Sequence, residues 1–433
     1  MPRPSDPVVV VGGGLAGMAA AARLAKAGHP VQLFERQHTL GGHWQAFDLP
    51  GVGLVDAAPG VFAFPAPWRD LFRKSGRPLE AELARSGHAL VPAEPVRHTF
   101  ADGSTLDLPT ERGQQYAVLS QAYGPGVAAR WRDLLDGLDE VWQTLRPLGL
   151  ERELEHHRPL PRPVRARLRA RDNLATIAAS LAEPHLTALV RSIAYRHGAS
   201  PERTPAWVAV DLVVSRTFGR WQVQGPADRP GDTGRSSVLA EALASRLALR
   251  RVALHPDEPV DAVLVEAGRA VGVRTLRGET RAAAVVVTTD PRRLGALLPG
   301  NAALRLRRDL RRLTPAEAPT VTHELRPGPG AGVRETVTLT DRGVPVISYL
   351  RPVAAGTLVS RHDFTRTQPD PGAGVAWRGF RQWRRRPPVV PDLPGLYTAS
   401  ASSPAGSAPS SVILSGALAS YACHDRLSAA EDR

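Results

Sequence analysis

Unbroken apolar runs at residues 8–11 and 283–288 have the character of strands buried on both faces of a parallel sheet. Further short strands are expected at 31–34 and 396–399. Between 127 and 145, Trp131, Leu134, Leu138, Val141, Trp142 and Leu145 recur three and four residues apart and so share one face of a helix. That stripe is expected to face the core, with a substrate-lining role for the tryptophans as the second reading. Helices are also expected at 15–27, over the region 173–195, and at 236–247, the last capped by Ser236 or Ser237. Runs at 251–254, 259–266 and 270–276 read as a small antiparallel meander, and 97–108 as a hairpin turning at Asp102-Gly103. Strands at 318–325, 334–339, 344–350 and 357–361, separated by Gly, Pro and Asp turns, predict a second sheet, and 207–218 adds apolar surface.

The strand at 8–11 leads straight into Gly12, Gly14 and Gly17, on the spacing that serves a tight turn, a close approach of backbone to a pyrophosphate, and tight helix-on-strand packing. The alanine-rich helix that follows would aim the N–H groups of its first turn, at Leu15 and Ala16, at bound phosphates. Gly28 stops it, and Glu35 closes the next strand 18 residues after Gly17, where a carboxylate can accept from a ribose and would repel a 2′-phosphate. Residues 8–45 therefore predict a dinucleotide-binding unit that disfavours NADP.

Composition narrows the setting. A chain of 433 residues, 42% hydrophobic, can bury a large core and hold two domains. It has no apolar run long enough for a transmembrane helix, and its start, MPRPSDP, lacks the zones of a signal peptide, which predicts a cytoplasmic location. The single cysteine, Cys423, excludes an internal disulfide or a cysteine-based metal cage, and no metal is expected. The net charge of +13 raises nucleic acid as a partner, but only Lys26 and Lys74 of 55 basic residues are lysines and the arginines are dispersed, so no specific nucleic-acid site is expected. The densest basic stretch, 156–171, reads as a solvated surface, with peripheral contact to anionic lipid as the alternative. His156-His157, His185 and His197 show no metal-ligand spacing and are taken as surface or structural.

After Glu35 come Arg36 and the doublet Gly41-Gly42. Here the chain resembles the FAD-dependent phytoene desaturase and flavin amine oxidase superfamily, in which this run follows the second strand and the doublet backs onto the flavin nucleotide. His43 stands where that family usually carries Arg or Lys. The likeness continues through Asp56, read either as organiser of a turn near the flavin or as a simple turn cap, and through 289–291. A Gly-Gly pair usual before the central helix is replaced by Thr233-Gly234-Arg235-Ser236. The resemblance implies that the backbone of Val260 meets the adenine, and that the small-residue stretch 394–419, with Ser400 and Val412, returns to the isoalloxazine and pyrophosphate. Ser400, Ser402 and Ser410 stand where the family often has glycine.

The expected fold is α/β: a Rossmann-like FAD/NAD(P)-binding domain of three-layer ββα form, built from 1–66, 225–300 and 387–433, intertwined with an α+β substrate domain from 67–224 and 301–386. The resemblance implies an FAD oxidoreductase that dehydrogenates a small apolar, isoprenoid- or carotenoid-like substrate by hydride transfer to flavin, reoxidised by oxygen or a quinone. The alternatives are an amine oxidase and a degenerate, non-catalytic nucleotide-binding relative. No catalytic side chain stands out.

Overall fold

A computed structural model of the chain describes residues 6–155, 158–328 and 332–431; His156-His157 lie outside them. Five strands form one parallel sheet in the order Ala253–His255, Val31–Phe34, Val8–Val11, Ala284–Val287, Leu396–Thr398. Val8 to Val11 lie at its centre and all four are buried, as an apolar strand flanked on both sides requires.

One face of this sheet carries the helix Leu15–Lys26, whose alanines 19–22 are fully enclosed. Against it pack Ser237–Leu249 and the closing helix Pro409–Glu431. Small residues make that approach close: a Cβ on Gly416 would overlap the carbonyl oxygen of Ala16. The opposite face carries the meander Val260–Glu266, Arg269–Thr275, Gly278–Arg281. The result is the expected three-layer ββα arrangement. One expectation is corrected here: the run at 251–254 does not open the meander but supplies Ala253–His255 as the parallel edge of the main sheet, and the third meander strand is Gly278–Arg281. The run is a strand as expected, but a three-residue strand does not encode its pairing partner.

A second sheet of six strands runs Pro315–Arg326, Gly356–Val375, Pro345–Val353, Arg334–Leu339, Val96–Thr99, Thr105–Leu108. The last two are the expected hairpin, joined to the C-terminal strands by a parallel pairing of Thr336 to Thr338 with Arg97 to Thr99. The helices Pro125–Leu145, Pro184–Arg196 and Val210–Phe218 share one apolar core with this sheet. On Pro125–Leu145 the buried face holds Trp131, Leu135, Leu138, Val141, Trp142 and Leu145, so Leu135 takes the place expected for Leu134. The region 173–195 is two helices, Leu174–Ala179 and Pro184–Arg196. In the basic stretch the helix Arg162–Arg167 is short and buries no residue, as a solvated surface would.

Candidate active site

The first strand hands over to the first helix at the glycine turn. Gly17 packs the helix onto the strand so closely that a Cβ there would overlap the Gly12 carbonyl oxygen, whereas a Cβ on Gly14 would meet nothing within 4 Å. Gly14 is the helix N-cap, makes no side-chain cap bond, and no acidic residue stands in the first turn. The helix thus opens onto a cleft with its N–H groups and positive dipole end unanswered by protein side chains. Glu35, at the end of the neighbouring strand and 8% exposed, accepts from Gly13 N (2.6 Å) and Gln37 N (2.9 Å). Its carboxylate is fixed by the glycine turn itself at the rim of the cleft. The doublet closes the opposite wall: Gly41 N donates to Gly13 O (2.9 Å) and a Cβ on Gly42 would crowd Gly14.

These parts line a cleft of about 500 Å³. Gly12, Gly14, Leu15, Ala16, Glu35, Arg36, Gly41, Gly42, His43, Val260, Ser400 and Val412 all stand on it, drawn from both ends of the chain and its middle. Gly17 does not; its role is the packing just described. His43 points to Asp370, with Nε2 3.9 Å from the carboxylate, so this position faces an acidic neighbour. The Val260 carbonyl already accepts from Arg293 Nη2 (2.6 Å). Arg293, on the helix Pro291–Leu297 that Asp290 caps, also lines the cleft. Sequence reading missed it, together with Thr288, whose hydroxyl donates to Val11 O (2.9 Å) and Gly12 O (3.0 Å) and holds the turn. The Thr-Asp-Pro run beside them was the available signal.

The closing loop lies across the cleft. Arg386 donates to Ser403 O (3.1 Å) and Trp383 Nε1 to Pro404 O (3.0 Å), while Ser402 N bonds Ser400 Oγ (3.1 Å). Ser400, Ser402 and Ser410 are absent from the residues with positive φ, so replacing the family's glycines costs no backbone strain. Asp56 does not line the cleft. Its Oδ2 accepts from Ser237 N (2.9 Å) and Ser236 Oγ (3.3 Å), and its Oδ1 lies 3.6 Å from Arg235 Nε. It caps the helix Ser237–Leu249 from a distant strand, which corrects both readings of Asp56 as a local turn residue and the expectation that Ser236 or Ser237 caps that helix with its own side chain.

A second cavity, of about 460 Å³, adjoins the first, and Trp44 and Ser407 line both. Its walls are largely aromatic and aliphatic and include Trp131 and Trp142, which are thus both core and lining. The start of the closing helix sits at the junction, with Ser410 and Ser411 on the apolar side and Val412 on the nucleotide side. Alternating positions on the six-stranded sheet face this cavity and bring a polar group into it: Glu335, Tyr349, His362 and His98. Glu335 is 3% exposed and bonds Arg196 Nη2 (3.3 Å) and Arg220 Nη2. Burial favours its neutral acid, yet Arg220 and Arg196 outweigh burial and hold it below the usual carboxylate range. Burial pushes His98 and His362 down to about 4, and the Tyr349 hydroxyl upward, so both imidazoles are neutral near pH 7. None of these stands out in the sequence, because they come from separate strands and a helix whose meeting only the tertiary fold decides. The described residues contain no cluster suited to a metal ion.

Fold and cleft together define a dinucleotide-binding protein of the Rossmann class. Residues 10–75 match the model of the NAD(P)-binding Rossmann-like domain. In sequence the chain is 30% identical over 302 residues to hydroxyneurosporene desaturase of Cereibacter sphaeroides, covering 68% of this chain and 57% of that protein. It is 27% identical over 301 residues to 4,4′-diapolycopene oxygenase of Methylomonas sp, covering 65% and 55%. The aligned part spans little more than half the length of these relatives. In fold it is similar to cyclohexylamine oxidase of Brevibacterium oxydans, with a TM-score of 0.65 at 16% identity, covering 98% of this chain and 99% of that one. The chain is related in sequence to the carotenoid desaturases and oxygenases and shares the two-sheet fold of the flavin amine oxidases, as the resemblance implied.

Proposed function

We propose that the protein is an FAD-dependent oxidoreductase that dehydrogenates an elongated, mainly apolar substrate. The observation that carries this reading is the meeting of two cavities at Trp44, Ser407 and the N-terminus of the closing helix, one cavity suited to a dinucleotide and the other apolar. The fit to FAD rests on the uncapped helix at Gly14, the open space in front of it, and the fixed carboxylate of Glu35. In this reading the N–H groups of Leu15 and Ala16 hold the pyrophosphate, Gly41, Gly42, Arg36 and His43 flank it, Glu35 takes the ribose, Val260 meets the adenine, and Ser400 and Val412 cover the flavin end. Held by these residues, FAD would supply a two-electron acceptor for a hydride from a substrate C–H, the adjacent carbon giving up a proton as the C=C bond forms, with oxygen or a quinone as the final acceptor.

The dipole of the closing helix would favour negative charge on the reduced ring. Relatives named as desaturases and oxygenases of carotenoids favour a polyene or polyisoprenoid over an amine. No helix among the described residues is long and apolar enough to cross a membrane.

The test is to incubate purified protein with FAD, remove free cofactor, and add polyenes of hydrocarbon and of polar-ended kinds, such as neurosporene and all-trans-retinoate, without oxygen. Retained flavin that bleaches, with a product lighter by one or more pairs of hydrogens, is the expected result. Protein that stays colourless after FAD is added overturns the reading in favour of a non-catalytic relative, and bleaching by amines alone overturns it in favour of amine oxidation.

A further inference from the structure

The apolar cavity is not apolar throughout. Arg196 lies deep within the protein, yet 39% of its side chain is accessible, so the surface it offers is to the cavity it lines. Among the described residues its one side-chain hydrogen bond is to Glu335. A guanidinium carries five N–H donors in a planar fork. Most of that fork therefore points into the cavity unused.

Around it the carboxylates are shared or engaged elsewhere. Glu335 is shared between Arg196 and Arg220, so neither guanidinium has that carboxylate to itself. Asp211 also acts on Arg196 through space but is hydrogen-bonded to His197 (2.7 Å), and Arg216 is held by Asp139 and Asp136. His98 and His362, being neutral, add hydrogen-bonding nitrogens without charge: Nδ1 of His98 and Nε2 of His362 are buried and unpartnered. A wholly hydrocarbon substrate packed against this group would strand the Arg196 donors away from water, which is costly for any buried polar group and more so for a charged one. Such a cavity discriminates against hydrocarbon.

From this we infer that the substrate is amphipathic: an elongated apolar body ending in a single carboxylate, which the Arg196 fork receives while the body lies between the aromatic walls and the flavin junction. A carboxylate matches the guanidinium bidentately, whereas a hydroxyl matches one N–H at most. The inference deepens the proposed function and rests on it for the meaning of the cavity, but its test needs no turnover. Arg196 is a binding and specificity residue here, and Arg220 and Glu335 position it.

All-trans-retinoate and all-trans-retinol share one polyene skeleton and differ at the terminus, so they serve as probes. Binding is followed by quenching of the cavity tryptophans Trp131, Trp142, Trp207 and Trp377, on protein whose flavin content is measured separately. Wild-type protein is expected to prefer the acid on the order of ten-fold; Arg196→Gln should bring the two affinities together, and Arg196→Lys should restore a smaller preference. Equal binding of acid and alcohol by the wild type overturns the inference whether or not any variant folds, and so does a preference that survives in folded Arg196→Gln. Protein that takes up no FAD but still prefers the acid would sink the proposed function and leave this site standing.

Discussion

At the residue scale, Gly14 and Gly17 stand in one turn and do different work. Gly17 is a packing glycine: the Cβ of an alanine would overlap the Gly12 carbonyl oxygen, so Gly17→Ala must push helix from strand, at about 1–3 kcal/mol. Gly14 has φ −73°, and a methyl placed on it would meet nothing within 4 Å, so Gly14→Ala should leave thermal unfolding within about 0.5 kcal/mol of wild type. That methyl would stand in front of the helix N-terminus, where a pyrophosphate must come close to the backbone. Flavin retained after gel filtration should therefore fall about ten-fold or more in Gly14→Ala, and a variant that keeps its full flavin complement would remove the cofactor from this cleft. The spacing of these glycines was legible in the sequence because each serves a local turn. Arg293, Arg196 and Glu335 were not, since nothing in the neighbouring residues says what a lone arginine or glutamate will face.

At the scale of elements, the strand–turn–helix–strand unit of residues 8–45 could be read because its rhythm is continuous along the chain, whereas the edge strand Ala253–His255 and the capping of Ser237–Leu249 could not. Both depend on a partner brought from far away. The serines at the helix start suggested a local cap, but Asp56 from the strand Gly53–Asp56 accepts from Ser237 N instead and lies opposite the buried guanidinium of Arg235. A carboxylate does this better than a hydroxyl, since it answers the helix dipole and the cation together. Asp56→Ala should lower the urea midpoint by the equivalent of about 1–2 kcal/mol, the usual worth of a lost N-cap, and Asp56→Asn, which can still accept from Ser237 N, should lose less. An Asp56→Ala variant as stable as the wild type would mean that Ser236 takes over the cap, as the local sequence first suggested.

At the scale of the whole molecule, most of the strand-forming runs were marked in the sequence, but the character of the cavity they build was not. Its floor is gathered from strands at 96–99, 334–339, 345–353 and 356–375, so a polar cluster in an apolar setting appears only when the six-stranded sheet is closed. That cluster ties stability to pH. His98 and His362 are pushed by burial from the ordinary 6.5 to about 4, so in the folded protein they refuse protons that the unfolded chain accepts. Stability from this source is complete above pH 6.5, declines as pH falls from 6.5 to 4, and is gone below that. Between those limits each step of one pH unit costs about 1.4 kcal/mol per histidine, so the loss at pH 5 is about 2 kcal/mol for each. Carboxylates held below their usual values, such as Glu335 and Asp232, lose their stabilising effect only as pH falls below the ordinary 4.5 and 3.8 of the unfolded chain, and so add little at pH 5. Urea midpoints compared at pH 7 and pH 5 should therefore drop markedly in the wild type, and the double variant His98→Gln, His362→Gln should show a much smaller drop, whatever its absolute stability. If the two proteins lose stability in parallel over that interval, the histidines are hydrated in solution, and the cavity floor is open to water rather than shielded for a polyene.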